Sequence, residues 1–289
     1  MLKCRFAILS GLALTLGCYA LAQQGNDPSR WQWNVPTGAP RVPGLEHGSF
    51  LSKAMNVEVG YNLYLPPGYA NGNARYPVVY YLHGMTGNES TGANFAPYVH
   101  RAIMEKLAPP MIYVFVNGGA ASQYFDWVNG RVMAETMIIK ELIPHIDARY
   151  RSISSREGRG LAGFSMGGGG AVRLALKYPE LFCCAASFAG AIGYTAGVQP
   201  KDGVAANDPQ KLATANLEKL NGRVGLLMYV GDQDLTRPLH GPFVDHLKSL
   251  NVAHTYEVLP GVSHNPGQYY AKAGDTFQFQ AKWFKNARP

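Results

Sequence analysis

The chain has 289 residues, 47% hydrophobic and only 16% charged, with 33 Gly, 19 Pro and a formal net charge of +7. That supplies enough apolar material for one large core and excludes a disordered or coiled-coil chain. The basic residues are scattered rather than clustered, as on a solvated surface, so no nucleic-acid partner is expected.

Residues 1–22 read as an export signal. Lys3 and Arg5 precede a largely apolar run from Phe6 to Leu16, and Ala20-Leu21-Ala22 offers the small-x-small cleavage site. A secreted or periplasmic protein is expected. A lipoprotein signal ending at Cys18 is the rival reading, and Thr15 fits it poorly. The apolar run is short for a membrane span, so no stable membrane insertion is expected. Residues 23–45 are polar and rich in Pro and Gly, an irregular N-terminal arm, and 46–289 form the remaining domain.

From about residue 50 strands and helices alternate. Val57 to Leu65 alternates as a half-buried strand and stops at Pro66-Pro67-Gly68. Val78 to Leu82 and Met111 to Val116 are continuous apolar runs, as in strands covered on both faces. Helices are predicted over 94–107 and 132–149, then a strand at Leu161 to Phe164 and a helix from Gly167 to Tyr178. Strands at 182–188, 224–230 and 255–259 follow, with helices near 208–220, 238–250 and 275–286. This order implies an α/β fold with a mostly parallel central sheet flanked by helices. Cys183 and Cys184 are adjacent on a predicted buried strand, where side chains alternate faces, and are expected to be free thiols.

Gly163-Phe164-Ser165-Met166-Gly167 joins a predicted strand to a predicted helix, the setting in which G-x-S-x-G exposes a nucleophilic serine. Gly168, Gly169 and Gly170 are read as small residues that let the helix press on the sheet; no Lys-Ser/Thr follows to make a phosphate loop. An acyl-transfer serine needs two backbone N–H donors for the oxyanion. Met166 supplies one, and Met85, in the loop His83-Gly84-Met85-Thr86-Gly87 after a strand, is assigned the other. His83 is read mainly as a brace of that loop and is kept among candidate substrate-binding residues.

The acid and the histidine should follow in that order. Asp234 is preferred to Asp232 because it lies further past its strand, and Asp232 is expected to bond loop backbone. His264 follows the last strand on a loop, whereas His240 and His246 fall on or beside a helix and His254 opens a strand. Ser165, Asp234 and His264 would then act as nucleophile, orienting acid and general base. No cofactor is called for, and no metal-ligand spacing appears.

These residues resemble the esterases that include feruloyl and acetylxylan esterases (carbohydrate esterase family 1), S-formylglutathione hydrolase, enterochelin esterase and the mycolyltransferases. The resemblance runs from about residue 47 to 285. It rests on Tyr64-Leu65-Pro66-Pro67-Gly68-Tyr69, Tyr81-Leu82-His83-Gly84, Glu141-Leu142-Ile143-Pro144-His145-Ile146-Asp147, the serine motif and the Asp234/His264 spacing. It implies an α/β-hydrolase fold with a small cap and a serine carboxylic-ester hydrolase. The substrate would be a small-molecule or polysaccharide-linked ester, feruloyl (hydroxycinnamoyl) or acetyl. Asp126 and Trp127 lie where that group places substrate-facing residues. Tyr124, Phe125, Trp127, Tyr269 and Tyr270 flank candidate site loops, where they either stack on an acyl group or sugar or pack the loops. An acyltransferase with the same triad and a non-catalytic binding protein on this fold are the alternatives.

Overall fold

The computed structural model describes residues 27–284. The export-signal expectation for residues 1–22 lies outside them. The described residues hold one sheet of eight strands in the order β1-β2-β4-β3-β5-β6-β7-β8. These are β1 (Leu45–Ser52), β2 (Val57–Tyr64), β3 (Val78–Leu82), β4 (Ile112–Val116), β5 (Arg159–Phe164), β6 (Cys184–Phe188), β7 (Gly225–Gly231) and β8 (His254–Leu259). β1 and β2 pair antiparallel with each other, and β2 with β4; from β4 across to β8 every pairing is parallel.

The apolar runs explain the layering. Successive side chains of a strand face opposite ways, so a strand buried on both sides needs apolar residues throughout. In β3, Val78, Tyr80 and Leu82 enter one core, while Val79 and Tyr81 enter the other. The helices are α1 (Glu89–Gly92), α2 (Ala96–Met104), α3 (Ala134–Thr136), α4 (Ile143–Arg149), α5 (Met166–Lys177), α6 (Pro209–Ala215), α7 (Leu217–Leu220), α8 (Arg237–Ser249), α9 (Pro266–Tyr269) and α10 (Ala273–Trp283). α2 and α10 pack on the face of Val79 and Tyr81; α3 to α8 pack on the other.

Two elements differ from the sequence reading. β1 is not among the predicted strands; it is an edge strand with exposed Glu46, half-buried His47 and Ser49 and little apolar alternation. The helix expected over 132–149 runs as α3, a wide π turn over Met137–Leu142, and α4. Pro144, in the first turn of α4, lacks the N–H that would continue a regular ladder. Glu141, in the π turn, accepts hydrogen bonds from Ser52 Oγ (2.6 Å) and Ala54 N–H (2.9 Å), tying the β1–β2 hairpin to this helix. Cys183 and Cys184 are buried free thiols, as expected.

The parallel strands place four loops on one edge of the sheet. The Met85 loop follows β3, Ser165 follows β5, Asp234 follows β7 and His264 follows β8.

Candidate active site

Ser165 stands between β5 and α5 at φ 55° and ψ −117°, a region that non-glycine residues rarely occupy. Three backbone hydrogen bonds hold it there. Its N–H donates to Phe188 O (2.9 Å), and its carbonyl accepts from Gly169 N–H (3.0 Å) and Ala191 N–H (2.9 Å). The flanking glycines are steric necessities. A Cβ on Gly167 would lie 1.9 Å from Leu82 O, and one on Gly163 would lie 2.5 Å from the Gly167 carbonyl. A Cβ on Gly169 would meet Ala191 O at 2.5 Å, which agrees with close packing rather than a phosphate loop.

His264 Nε2 lies 2.9 Å from Ser165 Oγ. Its Nδ1 lies 2.9 and 3.0 Å from the two carboxylate oxygens of Asp234. An N–H at Nδ1 donates to that carboxylate, leaving Nε2 with the lone pair that can take the serine proton; this tautomer is inferred from the partners. Asp234 Oδ1 accepts from Thr236 N–H (2.8 Å) and Thr236 Oγ1 (2.7 Å), and Oδ2 accepts from Tyr269 Oη (2.6 Å). Burial alone would raise the Asp234 pKa, but the hydrogen bonds from Tyr269, Thr236 and His264 outweigh it and hold the carboxyl below its ordinary value. Asp232 accepts Gly261 N–H at 2.8 Å and so pins the loop that carries His264.

Ser165 and His264 open onto a cleft of about 720 Å³ whose walls include Met85, Tyr98, Phe164 and Tyr270. The Met85 loop is clamped at several points. Thr86 N–H donates to Ala120 O (2.6 Å), and Tyr124 Oη donates to His83 O (3.0 Å). His83 Nδ1–H donates to Gly84 O (2.8 Å), while its Nε2 accepts Gly118 N–H (3.1 Å). Burial pulls the His83 pKa down to about 4, so the ring is neutral at pH 7 and serves as a brace. Met166 N–H is the first of α5, and a helix start favours negative charge.

Other candidates are not brought to this cleft. Asp126 caps α3 by accepting Thr136 N–H (2.9 Å) and the Thr136 hydroxyl. Trp127 Nε1–H donates to Ser122 O (3.1 Å), and its ring meets Trp31 edge-on at 5.6 Å. Both serve loop packing, and neither lines the cleft. Phe125 lies beneath the Arg173 guanidinium at 4.5 Å. Tyr270 lines the cleft, whereas Tyr269 is fully buried behind it. The segment between β6 and β7, read as a small cap, contributes no residue to the cleft. It packs on α5 instead, through Asn207 on Arg173 (2.6 Å) and Asp202 on Lys177 (2.6 Å).

Sequence reasoning missed two supports of Asp234. Tyr269 Oη donates to the carboxylate and accepts Gly231 N–H at 2.6 Å, but its partner lies 35 residues earlier and no local spacing announces it. Thr236, two residues on from the acid, forms an Asp-x-Thr turn that could have been read locally. Among the described residues no group of three or more His, Cys, Asp or Glu is placed to hold a metal ion.

A family model for esterases matches residues 52–283, nearly all of the sheet and every loop of the cleft. The chain belongs to the esterase family. Within that family, an esterase of Mycobacterium tuberculosis is 36% identical over 152 residues, covering 51% of this chain and 32% of that protein. An endo-1,4-beta-xylanase/feruloyl esterase of Xylanibacter ruminicola is 30% identical over 148 residues, covering 48% of this chain and 20% of that protein. The matches thus span a third or less of these longer relatives. A solved ferulic acid esterase superposes with a TM-score of 0.75 at 23% identity, covering 83% of this chain and 98% of that one, which demonstrates a common fold.

Proposed function

We propose that this chain is a serine carboxylic-ester hydrolase that forms an acyl-enzyme on Ser165. The observation that carries the reading is the imidazole of His264, 2.9 Å from Ser165 Oγ on one side and 2.9 Å from Asp234 on the other. His264 takes the serine proton as Oγ attacks the ester carbonyl, and Asp234 steadies the resulting imidazolium. The Met85 and Met166 N–H groups receive the oxyanion, each worth about 3 kcal/mol in comparable sites. Collapse of the tetrahedral intermediate breaks the ester C–O bond, and the alcohol leaves with the proton held by His264. Water then adds to the acyl-enzyme by the same route and releases the acid.

The acyl group in this reading is feruloyl or a related hydroxycinnamoyl, with an acetyl ester of plant cell-wall polysaccharide as the other option. Two findings favour the aromatic acid. The cleft walls carry Tyr98, Phe164 and Tyr270 beside Ser165, and aromatic faces suit a flat conjugated acyl chain. One relative is described as a feruloyl esterase. Steady-state kinetics on methyl ferulate against acetyl and butyryl p-nitrophenyl esters test it: a higher kcat/KM for the ferulate is expected, and preference for the short aliphatic esters would overturn the hydroxycinnamoyl assignment. The basic, apolar and small-residue order of residues 1–22 supports export, for which N-terminal sequencing of secreted protein should begin at Gln23.

A further inference from the structure

The floor of the cleft holds a pair of phenols that the proposed reaction does not use. Tyr81, from β3, and Tyr270, just after α9, both line it, and their hydroxyl oxygens lie 3.1 Å apart. Two phenols carry two protons, and one contact between them consumes one. Among the described residues neither oxygen has a second hydrogen-bond partner. One O–H is therefore left without a protein acceptor, among aromatic rings. The Tyr270 ring is packed by Phe95 at 4.9 Å, Tyr98 at 5.2 Å and Phe188 at 6.3 Å. Burial pushes Tyr270 up to about 12 and raises Tyr81 well above its ordinary value, so both phenols keep their protons at neutral pH.

Tyr81 is the more enclosed of the two, at 1% exposure against 7% for Tyr270. If Tyr81 donates to Tyr270, the more enclosed O–H is paired and the spare proton belongs to the residue nearer the open cleft. We infer that the Tyr270 O–H recognises a ring oxygen, hydroxyl or methoxyl, on an aromatic acyl group, an inference that rests on the hydroxycinnamoyl reading above. A donor packed among aromatic rings discriminates strongly, because a bound substrate without an acceptor leaves it buried and unpaired. The hydroxyl pair thus selects oxygenated over plain cinnamoyl esters.

The test compares kcat/KM for methyl ferulate, methyl 3,4-dimethoxycinnamate and methyl cinnamate. The wild-type protein alone gives the first readout. A protein donor is satisfied by a methoxyl oxygen as well as by a hydroxyl, so both oxygenated esters should exceed cinnamate by about tenfold. Tyr270→Phe should bring the ferulate-to-cinnamate ratio close to one, and Tyr81→Phe, which leaves the Tyr270 proton in place, should preserve it. Wild-type equality of the three esters, or a ratio that survives in Tyr270→Phe, would overturn the inference while leaving the hydroxycinnamoyl reading standing. Turnover of p-nitrophenyl acetate with none of the three cinnamoyl esters would remove both together.

Discussion

Acidification probes the loop that carries Met85 through one buried imidazole. His83 is 2% exposed, donates from Nδ1 to Gly84 O and accepts Gly118 N–H at Nε2. Protonating Nε2 turns the acceptor into a donor that faces another donor, in a place where burial already penalises charge. Burial lowers the pKa from 6.5 to about 4. On unfolding the ring returns to water and takes up a proton below about pH 6.5. The stabilisation is therefore complete above that pH and is lost as the pH falls towards the folded value. At about 1.4 kcal/mol per pH unit, the full interval corresponds to about 3 kcal/mol, a large part of a usual folding free energy. Urea unfolding of the wild-type protein and of His83→Gln, at several values between about pH 7 and about pH 5, measures it. The glutamine amide can still accept from Gly118 but does not titrate. The variant should start less stable yet lose about 2 kcal/mol less than wild type over that range. Parallel pH profiles for the two proteins would refute the reasoning.

Other perturbations isolate the remaining parts of the site. Ser165→Ala should cut ester turnover by several orders of magnitude while leaving the circular dichroism spectrum and thermal midpoint nearly unchanged. Gly167→Ala drives a methyl group to 1.9 Å from Leu82 O and should cost about 3 kcal/mol or more, seen as a large drop in the urea midpoint. Tyr269→Phe removes a hydrogen bond to a buried carboxylate, and kcat/KM should fall about tenfold or more. An unchanged kcat/KM in this variant would mean that Tyr269 only fills space.

Much of the sheet was legible because burial on both faces leaves a plain trace. β3 was bounded to the residue by Val78 to Leu82, and β4 within one residue, since uninterrupted β-branched and aromatic runs have few other uses. β1 left no such trace because its outer face meets solvent and its pairing depends on β2 rather than on its own side chains. The elbow, the acid loop and the histidine loop were readable as places from motif and chain order: the structure sets Asp234 beside His264, while Asp232 bonds loop backbone at Gly261. Contacts between distant segments were not readable. Asp126 and Trp127 occupy a loop that resembled a substrate wall, yet their partners, Thr136 and Ser122, turn them into packing elements. A loop rich in aromatic and acidic residues looks the same in sequence whether it faces a ligand or its own neighbours.

The groups proposed to react are divided unequally between the middle and the margin of the sheet. Ser165 follows β5, flanked by strands on both sides, and its carbonyl and N–H are tied to α5 and to the β6 loop. His264 follows β8, the outermost strand, on a loop held by Asp232 and by Gln268, which accepts Ser263 N–H at 2.9 Å. Margins of a sheet open at lower free energy than its centre. Partial denaturation should accordingly take away the proton acceptor first and leave a serine still poised but unassisted, so that ester turnover disappears at a lower urea concentration than the β-sheet signal does.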